Sequence, residues 1–232
     1  SGTGDLAANI TNNGTFHATD DADILLYYYP NGGNQPSFTN NDTFTKSGAA
    51  TATEIGVAFN NLGTVNVDSG ILSLSAGGMS TGGVFAVDAG ATLYFGGSHS
   101  LDTSSSLSGA GNVDFFNGTT AIDGTYNVTG TTIVSGGTAN FNVSATAGSI
   151  ALSGGILTVS PGNVLTANDQ FDWTGGNLLG AGTTTVSGTL TISGGNNKFL
   201  GEYGNNGHTL INNDAASFSG GTLYMVDSGT GD

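Results

Sequence analysis

Short runs of alternating apolar and polar residues follow one another along this chain, and most of them end at Gly or Asn. Examples are Ile71-Leu72-Ser73-Leu74, Phe141-Asn142-Val143 and Leu190-Thr191-Ile192. Alternation with a period of two is typical of a β-strand that buries one side. No stretch keeps a helical period, and the abundant Gly and β-branched residues disfavour helix. The pattern therefore predicts an all-β protein.

The runs recur at a regular distance that is marked by glycine turns. These turns stand at Gly78, Gly97, Gly118, Gly137, Gly155, Gly176, Gly195 and Gly221. Two or three short strands fill such a period, which predicts a right-handed parallel β-helix, or β-solenoid, of about 20 residues per rung. A sandwich or barrel also has short strands with regular turns, but rarely keeps one register of turn residues for so many cycles.

Three segments near the start repeat one motif: ITNNGTF, FTNNDTF and FNNLGTV. Each has an apolar residue, then an Asn pair, then Gly-Thr or Asp-Thr before the next apolar residue. They are residues 10–16, 38–44 and 59–65. We expect their Asn pairs to align at one corner and to hydrogen-bond from rung to rung, as stacked Asn ladders do. The predicted corner residues are Asn12, Asn13, Asn40, Asn41, Asn60 and Asn61.

Two steps of the repeat are longer than the rest. The three motifs begin at Ile10, Phe38 and Phe59, so the first step exceeds the second. The last glycine step, from Gly195 to Gly221, is also long. Since insertions in a solenoid become projecting loops, residues 1–232 are predicted to form a single β-solenoid segment of a longer protein, with loop insertions near 20–36 and 199–209.

These insertions contain the candidate binding residues, which are Tyr27, Tyr28, Tyr29, Asn31 and Tyr203. Three adjacent tyrosines in a strand cannot all point inward, so at least one is exposed. An exposed Tyr can stack on a sugar ring or contact a neighbouring protein. The alternative is that the insertion folds back and covers the end or side of the rod. Trp173 is predicted to pack in the core or at a corner, with a binding platform as the alternative.

Charge restricts the possible partners. The chain has 17 acidic residues and only two basic ones, Lys46 and Lys198, for a net charge of −15. Nucleic acid is not expected as a partner, because affinity for phosphate chains comes from Lys and Arg. No membrane insertion is expected either, since no apolar run reaches the ~20 residues of a spanning helix. The absence of Cys excludes disulfides and thiolate metal sites.

Catalytic patterns are weak. The segment Gly78-Met79-Ser80-Thr81-Gly82 matches the Gly-x-Ser-x-Gly nucleophile elbow, but a strand follows it where the elbow requires a helix. A β-helix polysaccharide hydrolase is the main enzymatic alternative, with carboxylates from Asp20, Asp21 and Asp23 or from Asp169 and Asp172. The chain has no Arg to hold an acidic sugar. We therefore expect no enzymatic activity.

Metal and cofactor sites are not expected. Asp20, Asp21 and Asp23 are a weak calcium candidate, but they match neither known calcium loop, and a solvated turn is the simpler interpretation. His17, His99 and His208 lack ligand spacing and are expected at the surface or in turns. Threonine pairs such as Thr183 and Thr185 suggest an ice-binding surface, but β-propensity explains them more simply.

Residues 124–138 (GTYNVTGTTIVSGGT), echoed by residues 182–195 (GTTTVSGTLTISGG), resemble the autotransporter-associated β-strand repeat of bacterial surface proteins. The Asn-Asn-Gly-Thr segments are similar to those of filamentous-haemagglutinin-like exoproteins. The resemblance implies a parallel β-helix, secretion to the bacterial cell surface or matrix, and a role as adhesin stalk or passenger.

The expected function is therefore that of a structural or adhesive segment of a large extracellular bacterial protein, with glycans or neighbouring copies of itself as partners. Two alternatives remain open. One is a self-assembling fibre subunit, because a solenoid without caps exposes unpaired strand edges at both ends. The other is the β-helix enzyme that degrades polysaccharides.

Overall fold

The computed structural model describes residues 7–27, 35–48, 52–201 and 207–226, and all of their regular elements are β-strands. In chain order the strands are β1 Asn9–Asn12, β2 Thr15–Thr19, β3 Ser37–Asn40, β4 Thr43–Ser47, β5 Ala52–Ile55, β6 Ala58–Asn61, β7 Thr64–Val67, β8 Ile71–Leu74, β9 Gly78–Ser80, β10 Val84–Val87, β11 Thr92–Phe95, β12 His99–Leu101, β13 Ser106–Gly109, β14 Asn112–Phe115, β15 Thr119–Ile122, β16 Thr125–Val134, β17 Thr138–Phe141, β18 Ala145–Leu152, β19 Ile156–Val159, β20 Val164–Trp173, β21 Asn177–Leu179, β22 Thr183–Val186, β23 Thr189–Ser193, β24 Lys198–Leu200, β25 Thr209–Asn212, β26 Ala216–Ser219 and β27 Leu223–Met225.

The strands stack in parallel on three faces, which the chain visits in a fixed order. Face 1 is an 11-stranded sheet that begins with β1 and β3 and ends with β24 and β27. Face 2 begins with β2 and β4 and ends with β22 and β25. Face 3 begins with β5 and β8 and ends with β23 and β26. Each of the strands β16, β18 and β20 runs through faces 2 and 3, which therefore merge into one 16-stranded sheet.

The turns between the first and the last are similar in length. Ser37 pairs with Ala58 and His99 pairs with Thr120, so that one turn takes about 21 residues, as in other solenoid repeats. The first and last steps are longer, because Asn9 pairs with Ser37 and Leu190 pairs with Ala216. The prediction of an all-β parallel β-solenoid with this period is confirmed.

The interior is a continuous column of apolar side chains. Successive turns place like residues on each other, so that rings stack along the axis: Phe95 on Phe115 with centroids 5.7 Å apart, and Phe38 on Phe59 with centroids 5.3 Å apart. Trp173 is fully buried and stacks on Phe171, while its indole N–H donates to the Gly176 carbonyl oxygen at 3.2 Å. It is therefore a core residue.

Turns are so closely stacked that some corners accept only glycine. A Cβ added to Gly118 would stand 1.9 Å from the carbonyl oxygen of Gly97 in the preceding turn, and its φ is +68°. A side chain there would meet both a backbone clash and an unfavourable conformation. The glycine period of the sequence therefore reflects the axial spacing of the turns.

An asparagine ladder runs inside the first corner, where faces 1 and 2 meet. The amide Nδ2 of Asn12 donates to Oδ1 of Asn40 at 2.7 Å, and Nδ2 of Asn40 donates to Oδ1 of Asn61 at 2.9 Å. All three are buried. A second, exposed pair lies outside it, where Asn41 Nδ2 donates to Asn13 Oδ1 at 2.8 Å.

The third Asn pair is one residue out of step with the alignment that the sequence suggested. Phe59 stacks on Phe38, and this register places Asn60 beside Thr39 and Asn61 beside Asn40. Asn60 therefore lies outside the ladder, and its Oδ1 accepts the backbone N–H of Met79. Leu62 takes the position that Asn41 has in the turn before, since both of their N–H groups donate to the preceding corner Asn.

Both lysines are buried at inward positions, which the sequence did not suggest. Lys46 stands in a core column between Ala18 and Val67, and its Nζ donates to the carbonyl oxygens of Asp20 and Ser47 at 2.9 and 2.7 Å. Lys198 Nζ donates to the Asn196 carbonyl oxygen at 3.0 Å. Both ammonium groups thus bind corner carbonyls, which offsets part of the cost of removing a charge from water.

Candidate functional site

Of the predicted binding residues in the insertions, Tyr27 lies within the described part of the chain. Its side chain is 82% exposed, and the neighbouring Leu25 and Leu26 are exposed as well. These residues follow Ile24, which forms a parallel bridge with Ile55 and so occupies the first position of face 3. The other candidates, Tyr28, Tyr29, Asn31 and Tyr203, lie outside the described residues.

The three aspartates proposed for calcium are held in a turn against the second turn of the solenoid. Asp23 Oδ1 accepts the backbone N–H of Glu54 at 2.7 Å. Asp20 has a left-handed φ of 60°, and its carbonyl oxygen accepts from Lys46 and from Thr53. Burial lowers the pKa of Lys46, and the charges of Asp20 and Asp21 act in the opposite direction. The structure thus places the Lys46 ammonium beside this turn, where it binds the Asp20 carbonyl oxygen.

Two of the three histidines are inside the protein, contrary to the expectation of surface positions. His99 is 6% exposed, packs edge-on against Phe95 and has its Nε2 3.0 Å from the Leu74 carbonyl oxygen. The two ring nitrogens of His208 lie 2.9 Å from the Leu179 carbonyl oxygen and 3.0 Å from Thr184 Oγ1. Burial lowers the pKa of both imidazoles, so both are neutral structural groups at neutral pH. His17 is exposed.

The catalytic candidates lie in structural environments. Ser80, the centre of the Gly-x-Ser-x-Gly match, is 3% exposed, and its Oγ accepts a hydrogen bond from Ser105. Another strand, β10, follows it. The carboxylate of Asp172 accepts the Gln170 side chain at 2.6 Å. Within the described ranges, no group of three or more His, Asp or Glu is placed to hold a metal ion.

The outward side chains of face 2 form two rows along the axis. The row through the middle of each strand consists of His17, Thr45, Asn66, Ala86, Ser108, Asn127, Thr146, Thr166, Thr185 and Ile211. The row at the start of each strand includes Thr15, Thr43, Thr64, Val84, Ser106 and Thr125. Hydroxyl and amide groups therefore repeat at the strand spacing of ~4.8 Å.

Face 1 has a similar exterior. Thr11, Thr39 and Asn60 form one row. Further along, Met79, Ser100, Ala121, Asn140, Thr158 and Leu179 continue at the same position. In the described strands of faces 1 and 2, no outward side chain is Asp, Glu or Lys, apart from the exposed Asp169, which lies in β20 where face 2 passes into face 3.

Face 3 differs, because it carries acidic side chains. Glu54, Asp114 and Asp172 occupy one outward row, separated by uncharged residues. Ser75 and Ser135, each one turn later, donate to Glu54 and Asp114 at 2.6 and 2.7 Å. Burial raises the pKa of Asp114. The structure thus separates two uncharged faces from one acidic face, a distribution that net charge alone does not reveal.

An exposed aromatic pair lies on face 1 near its C-terminal end. Phe199 and Tyr224 stack with centroids 5.0 Å apart and are 36% and 43% exposed. They continue an outward row that contains Asn177. No local sequence pattern reveals this pair, because the two residues are far apart in the chain and meet only through the register of β24 and β27.

Within the described residues there is no helix with the length and apolarity needed to cross a membrane. In comparisons with known proteins, no family model, no curated protein and no solved structure matches this chain.

Proposed function

We propose that this chain is a structural and adhesive segment of a large extracellular bacterial surface or matrix protein. Its length comes from stacking: the eleven strands of face 1 extend it to about 50 Å. The observation that carries the proposal is the uncharged exterior of faces 1 and 2, where hydroxyl and amide side chains recur turn after turn. Such a surface suits a neutral, repetitive partner.

Neutral polysaccharide is the partner class that this surface chemistry favours. Its hydroxyl groups exchange hydrogen bonds with Thr, Ser and Asn side chains without the desolvation of a charge. Tyr27 and the stacked Phe199 and Tyr224 add exposed apolar rings at both ends of the rod. Anionic polymers are disfavoured because both lysines are buried in a chain with net charge −15.

The experiment is a sedimentation assay with insoluble cellulose and chitin as the probes and soluble heparin as an anionic comparison. We expect binding to at least one neutral polymer and none to heparin. The face 2 variants Thr64→Lys and Thr185→Lys should weaken binding at least tenfold. Ser73→Lys and Thr191→Lys place the same charge on face 3 and are the matched controls.

The aromatic residues are tested separately. Replacing Tyr27, Tyr28 and Tyr29 together with Ser tests the insertion, and Phe199→Ser with Tyr224→Ser tests the exposed pair. Equal binding by all face 2 and face 3 variants would overturn the assignment to face 2, and no binding to either neutral polymer would overturn the adhesive role.

A further inference from the structure

Face 3 carries a pair of aromatic side chains in the middle of the rod. Tyr94 and Phe116 are both partly exposed, and their ring centroids lie 5.8 Å apart with 50° between the ring planes. Tyr94 belongs to β11, and Phe116 directly follows β14. Both of these strands have a paired neighbour on each edge, so the pair lies well inside the described stack.

The Phe116 ring leans back across the preceding turn. Phe95 pairs with Phe115, so Gly96 and Phe116 occupy the same position in successive turns. A Cβ added to Gly96 would stand 2.5 Å from Cζ of the Phe116 ring. The ring therefore covers Gly96, and this position brings it beside Tyr94.

A carboxylate adjoins the aromatic pair. Asp114 follows Tyr94 in the same outward row, and Ile133 follows Asp114. Its side chain is 9% exposed, and the Ser135 hydroxyl donates to its Oδ1 at 2.7 Å. A carboxylate that is withdrawn from water to this extent gains more from a nearby positive charge than an exposed one does.

In the described structure the chain supplies no lysine or arginine to Asp114. Its two basic residues are Lys46 and Lys198, and both are buried in other turns. Their ammonium groups bind backbone carbonyl oxygens at corners. A positive charge against Asp114 therefore has to come from another molecule.

From this arrangement we infer that Tyr94, Phe116 and Asp114 bind a lysine side chain of a basic partner protein. Because the ring centroids are 5.8 Å apart, one ammonium group can lie within the ~6 Å of both rings that cation–π attraction requires. The carboxylate supplies the opposite charge beside the rings. The methylene groups of the lysine pack on the apolar ring surfaces.

The position of Asp114 favours lysine over other cations. Tyr94 and Ile133 flank the carboxylate in its row, so it is reached best by a charge at the end of a slender chain. An amino group fixed directly on a sugar ring brings the whole ring with it. The Ser135 hydroxyl already occupies Oδ1, which opposes the bidentate contact that arginine prefers.

The charge of the whole chain acts in the same direction. A net charge of −15 attracts a basic protein from a distance and raises the rate of encounter at low ionic strength. The inference goes beyond the polysaccharide role, because it concerns face 3 and a protein partner, and it does not depend on that role.

The test is an NMR titration of the nitrogen-15-labelled chain with the peptide acetyl-Gly-Lys-Gly-amide as the probe. We expect saturable shifts of the backbone amide signals of Tyr94, Asp114 and Phe116. The same peptide with Nε-acetyl-lysine, which lacks the charge, should not give these shifts. Neither should free glucosamine, which carries its amino group on a sugar ring.

Four variants locate the contact. Asp114→Asn removes the charge but keeps the acceptor for Ser135, and Phe116→Ala removes one ring; each should weaken peptide binding about fivefold or more. Gly96→Ala keeps both rings but displaces that of Phe116, and it should weaken binding as well. Asp172→Asn, in the same row between Ala151 and Thr191, is the matched control and should change the affinity by less than about twofold.

Equal weakening by Asp172→Asn and Asp114→Asn would refute the site, since it indicates attraction by net charge alone. A wild-type chain that does not bind the lysine peptide would refute it too, as would unchanged affinity for the acetylated peptide or in Phe116→Ala. Glucosamine shifts at the same amides would overturn the assignment to lysine. Near-ultraviolet circular dichroism of Trp173 checks that each variant is folded.

Discussion

The asparagine ladder yields a sharp prediction, because Asn40 and Asn41 are adjacent residues of the same type in opposite environments. Asn40 is fully buried. Its Nδ2 donates to Asn61 Oδ1, to the Asp42 carbonyl oxygen and to the Thr64 carbonyl oxygen, and its Oδ1 accepts from Asn12. Asn41 makes one exposed side-chain bond to Asn13.

Asn40→Ala removes these hydrogen bonds at a buried corner, and water cannot easily replace them. The two Nδ2 hydrogens are shared among three acceptors, so the loss amounts to about three bonds. At ~1 kcal/mol for each net bond, the free energy of unfolding should fall by about 3 kcal/mol. Asn41→Ala removes one bond at a site where water substitutes freely, and the loss should be no more than about 0.5 kcal/mol.

Urea denaturation gives the global effect, with the fluorescence of Trp173 as the signal. Because each turn of a solenoid contacts only its neighbours, hydrogen exchange should show where stability is lost. We expect faster exchange in β3, β4, β6 and β7 of Asn40→Ala, and unchanged exchange around β20. If the two variants lose the same stability within the error of the measurement, the ladder is not a stabilising element and the reasoning fails.

Four further predictions use the same structure. Trypsin should not cut the folded chain, because both lysines are buried within strands and the sequence has no Arg. Cleavage at urea concentrations that unfold the protein is consistent with this prediction, and rapid cleavage in buffer without urea contradicts it. Because the pKa values of His99 and His208 are lowered in the folded state, the unfolded state binds more protons than the folded state below pH 6.5. The urea midpoint should therefore fall as pH falls through this value. His208→Gln should make this dependence of the urea midpoint on pH weaker. Gly118→Ala should lower the free energy of unfolding, measured by thermal denaturation, by several kcal/mol. Gly90 has a similar positive φ but open space around an added Cβ, so Gly90→Ala should lower it by only about 1 kcal/mol. Equal losses would show that the clash with Gly97 relaxes. Hydrogen bonds to the carboxylate, of which the one from the Gly82 N–H is the largest cause, lower the pKa of Asp102 from 3.8 to about 2. The stabilisation that these bonds give the folded state is therefore lost as pH falls through that range. Asp102→Asn should remove this part of the pH dependence of the urea midpoint.

Some features of the fold follow from neighbouring residues alone. Alternation within four-residue runs predicts strands, and recurrent glycines predict turns that stack closely. Both depend on local chemistry that is the same in every turn, so the all-β parallel solenoid and its period are readable from the chain. The hydrogen bond between Asn12 and Asn40 at one corner was predictable for the same reason, since their motifs repeat around equivalent strands.

Other features depend on which residue lies above which, and a shift of one residue reverses inside and outside. The Asn60-Asn61 pair predicted that Asn60 belongs to the ladder. The register is set by the stacking of Phe59 on Phe38, which aligns Asn61, and not Asn60, with Asn40. The inward position of Lys46 is not one that the sequence suggests, because burying an ammonium costs free energy. The Asp20 carbonyl oxygen that Lys46 binds belongs to the preceding turn, so no local sequence pattern predicts this contact.

The sequence by itself determined that this protein is a stack of short parallel strands, because alternation and glycine spacing act within a few residues of each other. The tertiary structure alone decided which surfaces that stack presents: two uncharged faces, one acidic face and buried cations. The reason is that a surface consists of residues a full turn apart in the chain, and only their register brings them into one row.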